Sequence, residues 1–379
     1  MNRREFLQRV SVLSAGLAWP GAGELLAEDA TANDWRTFDV TTRIEVLKPS
    51  GTTRVWAPGA LTLKTPFQRT VSNKYEADGG TVHIVQRKED GLEIICAKFP
   101  EGVPPVVTVT SRVMTKNYSV DLATPERTTA SAADLQYFTR PTKLLPTDGV
   151  VKQTSTEITK GATTDLDKAR AIYEWIVENT ARNPKTRGCG TGDIRFMLET
   201  GDLTGKCGDI SSLYVGLARA AGLPARDAFG IRVAKSELGY TSLGISSEKV
   251  TKAQHCRAEV YLHDHGWVPV DPADVRKVML EEPPGHRSLD DDMVKRARER
   301  LFGSWEMNWV AFNFAHDVAL PGSKEKPVPF LMYPQAETED GRVDSYDPDA
   351  FKYEITSHEI TQNAGGRLSS QVDRLKRLG

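Results

Sequence analysis

Cys207 stands in GKCGDISSLYVGLARAAGLPAR, after a glycine-bearing turn and at the head of an apolar stretch that reads as a helix. A helix N-terminus presents free backbone N–H groups and the positive end of the macrodipole. A cysteine there is favoured as thiolate, and an oxyanion formed beside it is stabilised. Downstream, AQHCRAEVYLHDHGWVPVDPADV places His255 on a strand that turns through His263, Asp264, His265 and Gly266 into a second strand ending at Asp271. Antiparallel pairing brings His255 and Asp271 to matching ends of the two strands, within hydrogen-bonding reach if register and face agree. A thiol on a helix start, an imidazole on a strand and a carboxylate beside it are the nucleophile, base and orienter of thiol acyl transfer.

The elements that must hold these residues are legible around them. Ile210, Leu213, Tyr214, Leu217 and Ala218 recur at spacings of three and four, the pattern of a helix with one face in a core, and Gly222 and Pro224 end it. TDLDKARAIYEWIVENT opens the helical part, with Thr164 or Asp165 as its cap and Trp175 and Ile176 in the core. Ahead of it, FDVTTRIEVLK, TVHIVQRK, LEIICAKF and VVTVTSRVMT are short, β-branched and often alternating, which predicts a β-sandwich. ATPERTTASAAD reads as a linker. After Asp274, DDDMVKRARERLFGSW predicts an exposed charged helix. SWEMNWVAFNFAHDVAL, with Asn313 and His316, predicts buried strands or a wall of a cleft.

The blocks GKCGD…LARAAGLPAR, HCRAEVYL and GWVPVDP, in that order and spacing, resemble the three signature segments of the transglutaminase-like superfamily, whose core is a papain-type Cys, His, Asp site. Arg257 stands where the family commonly has tryptophan, which bears on the cleft wall near the histidine. The resemblance covers about residues 150 to 275. It implies that Cys207 is the nucleophile, His255 the general base and later acid, and Asp271 the group fixing the imidazole tautomer. The block around WAPGALTLKTPFQRTV resembles the N-terminal β domain that precedes many bacterial members. The expected fold class is therefore α+β, with a β-sandwich over 31–125, a transglutaminase-like domain over 140–335 and a C-terminal extension over 336–379.

Other conspicuous residues have plainer readings. Cys256 follows His255 on a strand, so alternation turns it to the opposite face and into the core. His263, Asp264 and His265 form a solvated hairpin tip without a fourth ligand, so no metal is expected. Cys189, in RGCGTGD in the loop feeding the Cys207 helix, reads as an ordinary loop cysteine in preference to a cleft-lining thiol or a redox partner for Cys207. Asp209 complements the dipole of the helix that Cys207 opens. The N–H of Cys207 is the first oxyanion donor, and the polar loop from Arg182 to Asp193 is the place to look for a second. Asp340 onward reads as a short appended element and a frayed tail.

The amino-terminal MNRREFLQRVSVLSAGLAW pairs Arg3 and Arg4 ahead of Phe6-Leu7 and a short apolar stretch, and resembles a twin-arginine export signal over residues 1–30. That implies a periplasmic or otherwise exported protein. No later segment is apolar over the length of a membrane span. Of 379 residues, 39% are hydrophobic, enough for two or three domains, and a net charge of −2 gives no bias towards nucleic acid. Together these features predict an exported cysteine peptidase, amidase or protein-glutamine acyltransferase. It would act on protein or peptide, cell-wall peptide included, without a cofactor, and by hydrolysis in preference to transamidation. The competing reading is a binding or assembly module that keeps the fold and does no chemistry.

Overall fold

Alternating apolar and polar side chains in the amino-terminal third become strands, because each strand can then bury one face and solvate the other. The computed structural model describes residues 35–125 and 130–361. The expected export signal and the last residues of the tail lie outside them. β1 (Arg36–Val46), β2 (Thr53–Pro58), β3 (Gln68–Glu76), β4 (Thr81–Arg87), β5 (Leu92–Phe99) and β6 (Val106–Thr115) come first. In β1 the buried residues are Phe38, Val40, Ile44 and Val46, a period of two.

The helical part contains α1 (Ala132–Thr139), α2 (Gly149–Ile158), α3 (Asp165–Asn179), α4 (Ile194–Thr200) and α5 (Cys207–Ala220). β7 (Ala225–Arg232), β8 (Gln254–Leu262) and β9 (Gly266–Val270) follow, then α6 (Pro272–Glu281), α7 (Asp292–Arg300) and β10 (Trp309–Asn313). Thr164 caps α3 in a reciprocal box with Asp167, as its position predicted. The chain closes with β11 (Gln335–Thr338), β12 (Gly341–Val343) and β13 (Phe351–Ile360).

The antiparallel sheets of four or more strands among the described residues run in the orders β13-β1-β6-β3, β12-β11-β2-β5-β4 and β9-β8-β7-β10. The first two share a core in which Ile44 and Val107 meet Val55, Ile95 and Phe99, the face-to-face packing of a sandwich. The third lies against α5, whose every residue is buried, with α2 and α3 on its other sides. Fold class is α+β, a strand-rich amino-terminal region followed by a domain of helices packed on an antiparallel sheet. Phe38, Val40 and Val113 join the core cluster of the helical part, so the sandwich is packed against it.

The segment after residue 335, expected as an appended element, is built into the sandwich. β13 pairs with β1 from Thr37↔Ile360 to Val46↔Phe351, and β11 pairs with β2. Phe351 and Ile355 are buried while Lys352, Glu354 and His358 face solvent. β13 is an edge strand whose outer side is partly covered by the segment around Lys249, and the Asp-Pro pair before it and the basic residues after it made the segment read as a tail. Replacing Phe351 by alanine should cost about 3–5 kcal/mol by truncating a buried aromatic. Urea unfolding followed by far-UV circular dichroism will show the lowered midpoint, and an unchanged midpoint would mean that β13 is not part of the cooperative core.

Candidate active site

A helix that starts inside a protein must find acceptors for its first N–H groups and cover for its first side chains. At the start of α5 a single loop does both. Asp209 Oδ1 accepts the N–H groups of Thr191 and Gly192, each at 3.0 Å, and its Oδ2 accepts that of Lys206 at 3.1 Å. Gly208 donates its N–H to the carbonyl of Cys189 at 2.8 Å. The approach demands glycine. A Cβ on Gly190, at φ +91°, would lie 1.8 Å from Asp209 Oδ2, and one on Gly208 would lie 2.6 Å from the Cys189 oxygen. Asp209 thus anchors the RGCGTGD loop as well as serving the dipole, and burial pushes its carboxyl pKa up. The N–H groups of Gly190, Thr191 and Gly192 are all committed, so they are not the second oxyanion donor sought in this loop.

His255 and Asp271 meet as the hairpin predicted, with one refinement. The pairing Ala258↔Val270, continued by one step, sets Asp271 opposite Arg257, and His255 lies two residues along on the same face. From this diagonal position His255 Nε2 reaches Asp271 Oδ2 at 2.8 Å. The other oxygen of Asp271 caps α6 by accepting the N–H of Asp274 at 3.0 Å. Nε2 is therefore occupied by Asp271, which leaves Nδ1 as the ring nitrogen available to another group.

The surroundings set the charges. Burial and Arg232 both push the His255 pKa down, but the carboxylates of Asp274 and Asp271 prevail and hold it at about 9. Burial raises the pKa of Asp271, with Asp274 adding to the effect and His255 opposing it. For Asp274 burial is outweighed by Arg232, 2.5 Å away, and by His255, which hold it well below the usual carboxylate range. Cys207 is held well below an ordinary thiol by hydrogen bonds with Cys189 and Cys256, against its burial, and by His255. Burial pushes the remote Cys96 to about 12.

Three features went unread in the sequence. Asp274 and Arg232 complete the ion cluster, with Asp274 Oδ1 at 3.3 Å from His255 Nε2. The Asp-Pro-Ala-Asp spacing, a cap with a carboxylate three residues on, was the available signal for Asp274. Cys256 does pack in the core, beside Met332, but its sulfur also lies within 4.8 Å of those of Cys207 and Cys189. Arg257 is not a cleft wall. It is buried between Trp305 and Trp309, whose ring centroids are 5.4 and 4.9 Å from its guanidinium carbon, and its Nε lies 3.5 Å from Asp271 Oδ2.

The cysteine opens to a cleft of about 260 Å³ lined by Cys189, Cys207, Lys206, Lys252, Gln254 and Tyr333 among others. Tyr346 and Tyr353 from the carboxyl-terminal strands and loops complete one side. His316 and Asn313 are packing residues. His316 bonds Asp227 at 2.8 Å and Asn313 bonds the Leu331 carbonyl. His263 and Asp264 are exposed at the hairpin tip.

Comparisons with known proteins agree with this architecture. The family model described as the transglutaminase-like superfamily matches residues 152–272. An uncharacterized protein of Haemophilus influenzae is 34% identical over 346 residues, spanning 86% of this chain and 92% of its own. The crystal structure of a proposed cysteine protease from Cytophaga hutchinsonii is similar in fold with a TM-score of 0.50. Its identity is 15%, over 88% of this chain and 93% of that one. The periplasmic domain of TgpA from Pseudomonas aeruginosa matches at 13% identity and a TM-score of 0.33, over 61% of this chain and 90% of that domain. With the matched segment running from α2 to the first residue of α6 and enclosing Cys207, His255 and Asp271, the chain belongs to the transglutaminase-like superfamily.

Proposed function

We propose that this protein is an exported cysteine peptidase or amidase that hydrolyses peptide or amide bonds through a thioester on Cys207. One observation carries the reading. An imidazole is fixed by a buried carboxylate at 2.8 Å, and it helps to lower the thiol of a cysteine at the head of a buried helix. The Cys207 thiolate attacks the carbonyl carbon, and the oxyanion forms at the helix start, where the N–H of Cys207 has no intrahelical acceptor. The second donor we assign to Gln254, a cleft residue adjoining His255 whose amide nitrogen is buried without a partner. His255 then gives its Nδ1 proton to the leaving amine. It next takes a proton from the water that resolves the thioester, releasing the carboxylic acid.

Supporting the choice of substrate, Lys206 and Lys252 line the cleft with Tyr333, Tyr346 and Tyr353. Two ammonium groups beside aromatic faces suit a peptide carrying free carboxylates, cell-wall peptide among them. The arginine pair at the amino terminus supports export. Among the described residues no helix is long and apolar enough to cross a membrane.

Incubating wild type and Cys207→Ala with defined peptides, cell-wall fragments and amine donors, then reading masses, tests the reaction. Hydrolysis adds water across one bond and is lost in the variant, amine addition would mark a transamidase, and no change with any substrate would sink the enzymatic reading. Asparagine keeps the α6 cap, but Asp271→Asn strips a buried charge from His255 and Arg257 and should cost about 3–5 kcal/mol of stability, so its activity is read where far-UV circular dichroism shows the variant folded. There it should lower kcat by about 10²- to 10⁴-fold because the tautomer is no longer fixed. Gln254→Ala should lower kcat by about 10- to 10³-fold while leaving the alkylation rate of Cys207 unchanged.

The pH dependence follows from the paired charges. With the thiol lowered and His255 held at about 9, the thiolate–imidazolium pair persists through neutrality. Above that value His255 loses the proton destined for the leaving amine. Hydrolysis should therefore fall as pH rises through about 9, whereas iodoacetamide alkylation of Cys207, which needs only thiolate, should persist. At pH 7 Cys96 should resist the same reagent. Equal labelling of Cys96 and Cys207 would contradict an activated thiol.

A further inference from the structure

Acyl transfer uses one sulfur, yet three converge at the floor of this cleft. The sulfurs of Cys189, Cys207 and Cys256 all lie within 4.8 Å of one another. They come from three segments fastened to the first turns of α5. Cys189 is held through its carbonyl by Gly208, and Cys256 through its carbonyl by the Ser211 hydroxyl at 3.3 Å. A fourth soft atom stands close, Met332 Sδ at 3.9 Å from the Cys256 sulfur, and the Tyr333 hydroxyl reaches the Cys189 sulfur at 3.1 Å. Three thiolates around one ion at about 2.3 Å have sulfurs roughly 4 Å apart, so small side-chain rotations suffice.

Donor chemistry selects the guest. Sulfur ligands, thiolate with thioether, favour a soft closed-shell ion, Cu(I) before Zn(II), and offer nothing to hard cations that require oxygen. Entry is from solvent, since Cys189 and Cys207 both line the open cleft. The neighbouring set of His255, Asp271 and Asp274 also lies close enough to hold an ion. Its carboxylates, however, are already matched by Arg232 and Arg257, which a metal would have to displace.

We propose that Cys189, Cys207 and Cys256 form a trithiolate site for Cu(I), with Met332 as the adjacent thioether, and that occupancy withdraws Cys207 from chemistry. Three copper–sulfur bonds form, and each thiol that binds gives its proton to the buffer. No electron is transferred and no co-reactant is needed. The inhibitory half rests on Cys207 being the nucleophile; the binding half does not.

Reduced protein, kept anaerobic, is titrated with Cu(I) held as its bicinchoninate complex, and removal of copper from the chelator is followed by absorbance. Wild type should take up one equivalent. Cys189→Ser and Cys256→Ser should each weaken uptake about tenfold or more, and Cys96→Ser, in the separate sandwich cluster, should match wild type. Cys189→Ala is carried alongside, and near-UV circular dichroism confirms that each variant is folded. Failure of folded wild type to compete for copper overturns the site, as does equal loss in Cys96→Ser. Tighter retention of Zn(II) than Cu(I), measured against a zinc chelator, overturns the choice of ion. One equivalent of Cu(I) should abolish peptide hydrolysis and a copper chelator should restore it. Copper uptake with undiminished hydrolysis overturns the inhibitory half, whereas hydrolysis surviving in Cys207→Ala defeats the catalytic reading and leaves the binding result intact.

Discussion

The two oxygens of Asp271 hold the fold and the candidate site together. One begins α6 by accepting the Asp274 N–H, and the other fixes His255. The residue is fully buried, so neither task can be handed to water. The two contributions differ in size. An N-cap is worth about 0.5–2 kcal/mol, while stripping one partner from a buried charged pair costs about 3–5 kcal/mol. The charge, not the cap, is what the surrounding structure must satisfy: His255 and Arg257 favour it, while the neighbouring carboxylate of Asp274, which opposes it, is itself paired with Arg232.

That arrangement explains the buried arginine at position 257. Its place two residues from His255 on the same strand face, opposite Asp271, is dictated by the hairpin register. Guanidinium is weakly hydrated and stacks on aromatic rings, so Trp305 and Trp309 replace the water it gives up. Burial still pushes its pKa down to about 10, with Asp271 opposing, which leaves it cationic at neutrality. A second positive group therefore bears on the carboxylate that holds His255. His255 consequently keeps its proton through two balanced opposites, with carboxylates prevailing over Arg232 and burial.

The pieces that announce themselves in sequence are those governed by local periodicity. The helical spacing from Ile210 to Ala218, the alternation of β1 and the turn after Leu262 needed only short windows, and each element formed, although the helix expected to bury one face is buried on all sides. The meeting of His255 with Asp271 followed from strand pairing across one tight turn. What escaped was set by contacts between distant segments. Arg232 reaches Asp274 from another strand, and Cys189 reaches Cys256 through a loop pinned by Asp209. Strand alternation alone sends Cys256 away from the nucleophile. It fails as a guide because the head of α5 packs on the face that Cys256 presents.

The carboxyl-terminal strands show why substrate choice is the least legible property of the chain. β13 is held by a ten-residue ladder to β1 and by Phe351 and Ile355 in the core. Nothing in that ladder concerns chemistry. Yet Tyr353 on the same strand, and Tyr346 just before it, line the cleft that exposes Cys207. Tyr346 stacks edge-on to Tyr333, whose hydroxyl touches Cys189. The sandwich is therefore a wall of the site as well as its support. A change in sandwich packing would move the tyrosines without disturbing Cys207, His255 or Asp271. The three short motifs that bring Cys207, His255 and Asp271 together thus lie inside one domain, and a wall of their cleft comes from a strand added some eighty residues later, an arrangement that allows one to change while the other is kept.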